Sequence, residues 1–149
     1  MLIRILKLLS ILIFSANVLF AANIPIIVIA PGKIVQSYGA VGSSVSVIDQ
    51  KTLENSDEYF LGNVLDGGLP GMNYFQSGGH GTTSGIQLRG LPKRYSTVYI
   101  DGVKMSDPSS SDNSFYFSNI MNSAVDRVEI LKGSQSSLYG SSAIGGTVN

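Results

Sequence analysis

The stretch Val125-Asp126-Arg127-Val128-Glu129-Ile130-Leu131-Lys132-Gly133 decides the fold, together with Ser137-Leu138-Tyr139-Gly140 and the closing Ala143-Ile144-Gly145-Gly146-Thr147-Val148-Asn149. Val128 and Ile130 alternate with Arg127 and Glu129, which is the period of a strand with an apolar face turned inward and charges on the opposite face. Leu138 and Tyr139 then form a short helical turn. Gly140, Gly145 and Gly146 punctuate the closing segment, at positions where a side chain would restrict the backbone.

Working outward, Asp101-Gly102 is a residue pair that tolerates positive φ, so Thr97–Ile100 and Val103–Met105 are expected to close a two-residue hairpin. Ile86 and Leu88 face one side of an earlier strand, while Gln87 and Arg89 face the other. Met72–Gln76 has strand character and leads into Ser77, Gly78, Gly79, His80, Gly81, Thr82, Thr83 and Ser84, whose glycines and hydroxyls disfavour regular structure and predict an exposed loop. A second polar loop, 107–114, contains Asp107 and Asp112 before Phe115, Tyr116 and Phe117 return the chain to an apolar surface. Ser44–Ile48 alternates as a half-buried strand with Val45 and Val47 on one face, and Asp49 is placed to cap the turn after it. Leu61, Val64 and Leu65 recur at helical spacing, predicting a short amphipathic helix over 57–66 that Gly67, Gly68 and Pro70 stop. No repeat or linker divides the segment 37–149, which is expected to be one α+β domain: a small mixed sheet with short helices and long polar loops.

Composition narrows the chemistry. The chain has 149 residues, enough for one core, and its 10 basic and 10 acidic side chains balance. No net field favours nucleic acid, so no nucleic-acid partner is expected. Cysteine is absent and histidine occurs once, which leaves no thiolate metal site, disulfide framework or thiol chemistry, and no metal or cofactor is expected. The Gly79-His80-Gly81 stretch lacks a third glycine at Ser84 and the acidic partner of a dinucleotide site. No nucleophile elbow is present, and a single loop histidine offers little for acid–base work, so the chain is not expected to be an enzyme.

At the N-terminus Arg4 and Lys7 precede an apolar run from Leu8 to Phe20 and the small residues Ala21 and Ala22, the pattern of an export signal over 1–22. The run is broken by Ser10, Ser15 and Asn17 and falls short of the roughly 18 to 20 residues that span a bilayer. Ile24, Pro25, Ile26, Ile27, Val28, Ile29 and Ala30 follow as an extended β-branched segment closed by Pro31 and Gly32, within a flexible tail over 23–36.

The order of these segments resembles the plug domain of TonB-dependent outer-membrane receptors, most of all the cobalamin and siderophore branch. Leu69-Pro70-Gly71 after a helix, Ile86-Gln87-Leu88-Arg89-Gly90, and Val98-Tyr99-Ile100-Asp101-Gly102-Val103 are similar to three of the family's motifs. The stretch from Val125 to Asn149 is similar to its longest one. Ser134 stands where the family has proline, so the rigid turn is lost there. Gly67 and Gly68 replace charged residues and weaken the last helical turn by about 1 kcal/mol per glycine.

The resemblance implies a domain that fills the lumen of its own β-barrel. It implies loops near Ser77–Ser84 and Met105–Phe117 that contribute to the site of a large nutrient ligand, cobalamin or a ferric siderophore, with Ser77, Gly78, Gly79, His80, Asp107, Asp112 and Tyr116 as candidates. Arg89, Arg127 and Glu129 are implied contacts to the barrel wall. Ile26, Ile27, Val28, Ile29 and Ala30 are similar to a Ton box, which the TonB C-terminal domain captures by adding the strand to its sheet edge; the alternative is that they complete the domain's own sheet. A plugged barrel of about 22 strands needs more than about 200 further residues. The expectation is therefore a truncated product, at the outer membrane through its exported form, or periplasmic if no barrel accompanies it, without transport activity alone. The rival expectation is a small periplasmic ligand-binding module, which the genomic sequence after Asn149 would distinguish.

Overall fold

The computed structural model describes residues 27–28, 30, 32–67 and 69–149. The export signal over 1–22, tail residues 23–26, Ile29 and Pro31, and Gly68 lie outside the described residues. Nine strands occur among the described residues: β1 (Ile27–Val28), β2 (Gln36–Ser37), β3 (Ser44–Ile48), β4 (Met72–Gln76), β5 (Ser84–Leu88), β6 (Ser96–Ile100), β7 (Val103–Met105), β8 (Val128–Lys132) and β9 (Gly146–Val148). Three short helices accompany them, α1 (Gln50–Glu54), α2 (Leu61–Asp66) and α3 (Ser136–Tyr139).

Five strands form one mixed sheet in the order β3-β8-β9-β6-β7, and β4-β5 and β1-β2 form separate two-stranded ribbons. Asp101 and Gly102 hold φ of 49° and 82°, the left-handed pair that a tight β6–β7 hairpin needs. The glycine-rich end joins the same sheet, because β9 runs parallel to β6 and antiparallel to β8. The fold is α+β with a small mixed sheet, as the sequence indicates.

Register explains where the cores lie. Ile48, Val128, Ile130, Val148 and Val98 share one sheet face and meet Leu53 of α1, Leu65 of α2, and Ile86 and Leu88 of β5. The opposite face carries Val45, Leu131, Glu129 and the hydroxyl pair Thr97–Thr147, whose oxygens lie 3.1 Å apart. That second face is covered as well. Val28 and Ala30, each at most 1% exposed, pack on Val45 and Leu131. Within the 23–36 tail Ile34 and Val35 are exposed, and β1 pairs with β2 rather than with the main sheet.

Asp49 caps α1 as expected, its carboxylate accepting from the Thr52 amide at 3.0 Å. The second helix is shorter than the 57–66 expected. Phe60 is held extended by an antiparallel bridge to Met121, and the Leu61 amide donates to the Ile120 carbonyl at 2.9 Å, so tertiary pairing overrides helical periodicity before residue 61. Ser84 leaves the polar loop and opens β5 as a fully buried residue. After β8 the turn needs no proline at Ser134, because the Gly133 and Gln135 amides donate to the Gly145 and Ala143 carbonyls at 3.1 and 2.8 Å.

Candidate functional site

Loop 77–83 is shaped by its own backbone. The Gln76 carboxamide donates to the Gly78 and Gly79 carbonyls at 3.1 and 2.6 Å, and the Thr82 hydroxyl donates to Gly79 O at 2.8 Å. Ser77, Gly78, Gly79 and His80 are all exposed. His80 stacks on Phe60 with ring centroids 4.2 Å apart and planes 26° from parallel. Beside the loop is a recess of about 320 Å³ lined by Asn63, Asp66, Tyr74, Gln76 and His80, a set rich in hydrogen-bonding groups.

Loop 107–116 is built on two carboxylates. Asp107 accepts from the Ser109 amide at 2.9 Å and its hydroxyl at 2.6 Å, and these bonds hold its carboxyl below the usual carboxylate range. At Asp112 burial pulls the carboxyl upward, but hydrogen bonds from Ser114 and Ser110 outweigh it and the group titrates low. Lys93 lies 3.5 Å from Asp112, and its ammonium sits 4.6 Å from the Tyr116 ring centroid. The segments that follow the two loops meet. The Ser118 amide donates to the buried Ser84 hydroxyl at 3.0 Å, and the Asn119 carboxamide lies beside Gly81.

The tail makes a separate constellation. The Ala30 amide donates to Glu129 Oε2 at 2.7 Å, and the Tyr139 hydroxyl donates to the Ala30 carbonyl. Burial, then the neighbouring Tyr99 and Glu129, push the Tyr139 hydroxyl above its ordinary pKa. Lys33 places its ammonium 4.8 Å from the Tyr139 ring centroid and 5.5 Å from that of Tyr99, with the two rings edge to face at 4.9 Å.

The charged residues assigned to a barrel wall divide. Arg89 is exposed, with φ of 55°, and its guanidinium lies against Gly133. Arg127 retains 36% side-chain exposure and pairs with Glu129 at 2.7 Å. The outward placement of Glu129 is revised: it shares the face of Arg127 as expected, but the docked tail covers that face and leaves the residue 2% exposed. Among the described residues no group of three or more His, Cys, Asp or Glu could hold a metal ion.

A cavity of about 870 Å³ lies at neither loop. It lies between Tyr99–Gly102 and Ala124–Glu129, with Leu61, Phe117 and Val148 in its walls. The sequence alone does not single out Lys93, Lys33, Tyr99 or Tyr139 as site residues. Each makes its contacts with partners distant in the chain.

A family model described as TonB-dependent Receptor Plug Domain matches residues 39–147. The Vitamin B12 transporter BtuB of Vibrio vulnificus (strain CMCP6) is 31% identical over 123 residues, covering 83% of this chain and 20% of that protein. The ferric yersiniabactin uptake receptor FyuA from Yersinia pestis aligns with a TM-score of 0.51 at 30% identity, over 72% of this chain and 16% of that one. The alcaligin outer membrane receptor FauA from Bordetella pertussis aligns with a TM-score of 0.64 at 21% identity, over 83% of this chain and 20% of that one, a likeness of fold. The chain spans about a fifth of the length of the curated relative, and these relatives are transport receptors rather than enzymes.

Proposed function

The chain belongs to the TonB-dependent receptor plug domain family, and on that premise we propose that it is the plug of an outer-membrane receptor for energised uptake of a large nutrient, cobalamin or a ferric siderophore. The observation that carries this is the union of the two polar loops through Ser84 and Ser118, with Lys93 beneath the second. A large polar ligand needs hydrogen-bonding groups spread over a broad surface, and sequence-distant loops fastened side by side supply one at little reorganisation on binding. Ser77, Gly78, Gly79 and His80 present the first loop; Asp107, Asp112 and Tyr116 present the second.

In this proposal Arg89 and Arg127 lie toward the barrel wall, and the TonB C-terminal domain engages Ile26–Ala30 by strand addition. The outer membrane holds no ATP, so work has to arrive through such a mechanical link. The test for the ligand side joins this domain to the barrel of a related receptor and measures uptake of labelled cobalamin and of ferric siderophores in receptor-deficient cells. Uptake that vanishes without TonB and weakens when Asp112 and Tyr116 are replaced supports the assignment. Uptake indifferent to both loops would overturn it.

A further inference from the structure

Lys93 connects β5 to the 107–116 loop through its side chain. It opens a short 3₁₀ turn, Lys93–Tyr95, whose end is fixed because Tyr95 donates its amide to the Pro92 carbonyl and accepts the Gly145 amide, both at 2.9 Å. The side chain then crosses β5 at Gly85, the residue paired with Phe75 of β4. A Cβ at Gly85 would lie 2.8 Å from Lys93 Cδ, 3.0 Å from its Cβ and 3.2 Å from Phe75 Cε1. Gly85 does not hold a positive φ, so it is the room for the stem, and not the backbone, that calls for glycine there. Beyond it the ammonium reaches the second loop, 3.5 Å from Asp112 Oδ2 and 4.6 Å from the Tyr116 ring centroid. Asp112 keeps its other oxygen for the loop itself, where Oδ1 accepts from the Ser110 hydroxyl at 3.0 Å and the Ser114 amide at 3.3 Å.

Successive residues of a strand face opposite ways, so Gly85 presents the face of β5 that Ser84 and Ile86 do not. Ser84 accepts the Ser118 amide on the buried face, and Lys93 holds Asp112 and Tyr116 from the other. We propose that Lys93 is a positioning residue of the ligand surface: seated over Phe75 and Gly85, it straps the 107–116 loop to the ribbon whose turn is the 77–83 loop, and so sets the spacing at which the two loops meet a ligand. This rests on the proposal that both loops touch the nutrient. Lys93 acts through Asp112 and Tyr116, which already engage its charge, and not by meeting the ligand. A loop without the strap has to be ordered when the ligand arrives, and that cost is subtracted from affinity.

Three variants test it. Lys93→Met keeps the stem over Gly85 and removes the charge, Lys93→Arg keeps a cation, and Gly85→Ala puts a methyl beneath the stem with the charge intact. In the full chain, amide exchange at Ser110 and Asn113, whose amides close the turns of the loop, is expected to rise several-fold in Lys93→Met and Gly85→Ala and to stay near the unaltered value in Lys93→Arg. In the barrel fusion, Lys93→Met should raise the half-saturating concentration for uptake about three- to tenfold, the effect of a part-buried ion pair and a cation over a ring, and leave the maximal rate unchanged. Adding Asp112→Asn separates positioning from direct contact: the double variant should lose little more than either single one, because both break the same link. Losses that multiply in full would make Lys93 a ligand contact and overturn the strap, and so would uptake by Lys93→Met that matches the unaltered chain. If no form of the fusion takes up any nutrient, the proposed function fails instead and exchange decides the strap alone: equal exchange in Lys93→Met and the unaltered chain removes it, and faster exchange that Lys93→Arg reverses upholds it.

Discussion

Asn149 and Glu129 exchange both backbone hydrogen bonds, the Glu129 amide donating to Asn149 O at 2.7 Å and the Asn149 amide to Glu129 O at 2.8 Å. The β8–β9 ladder thus continues one residue past Val148, to the mouth of the 870 Å³ cavity.

Gly146 and Gly102 both have positive φ, 148° and 82°, but their surroundings differ. A Cβ at Gly146 would run into the Leu131 carbonyl of the neighbouring strand, whereas nothing lies near one at Gly102. Gly102→Ala is expected to cost about 1 kcal/mol, from backbone conformation alone. Gly146→Ala should cost more than about 3 kcal/mol, because backbone in a central strand has to move. Urea denaturation midpoints measure both, and similar values would contradict the close approach.

Asp107 supplies a pH test of the second loop. Its carboxyl is held low by the Ser109 hydroxyl and amide, so the ionised form is favoured in the folded state. A depressed folded pKa contributes stability that is present above the unfolded value of 3.8 and is lost as pH falls through the lower folded value. Asp107→Asn should thus differ from the unaltered chain near neutral pH and converge with it in acid, below both values. Carboxyl titration by NMR checks the direction, and an Asp107 pKa at or above 3.8 would show that the turn is not formed in solution.

Much of this architecture is legible in the sequence where local chemistry and tertiary demand agree. The Asp101-Gly102 turn, the Asp49 cap and the alternation of Val128 and Ile130 each follow from a residue type and its spacing, and each is found. The features that escape a sequence reading depend on contacts across long separations. Phe60 is kept out of the helix by Met121, and Ser84 is drawn from the loop into β5, where Ser118 binds it. Arg127 and Glu129 do share a face, but alternation within β8 gives no sign that residues about a hundred positions earlier cover it. Composition places the loops, whereas it is silent on the lysine beneath one of them and on the tyrosine gripping the tail.

The stack of His80 on Phe60 joins the tip of the first loop to the start of α2, and Phe60 is itself fixed by its bridge to Met121. The ring contact anchors a glycine-rich segment that Gln76 of β4 and Thr82 also tie down through the Gly79 carbonyl. His80→Ala is expected to leave global stability within about 1 kcal/mol, since an exposed aromatic pair contributes on that order. Amide exchange at Gly81 and Thr82 should nevertheless rise several-fold as the loop separates from α2, because local opening there no longer breaks a ring contact. His80→Phe keeps an aromatic face and should preserve the slower exchange. If alanine and phenylalanine variants exchange alike, the stack does not hold the loop.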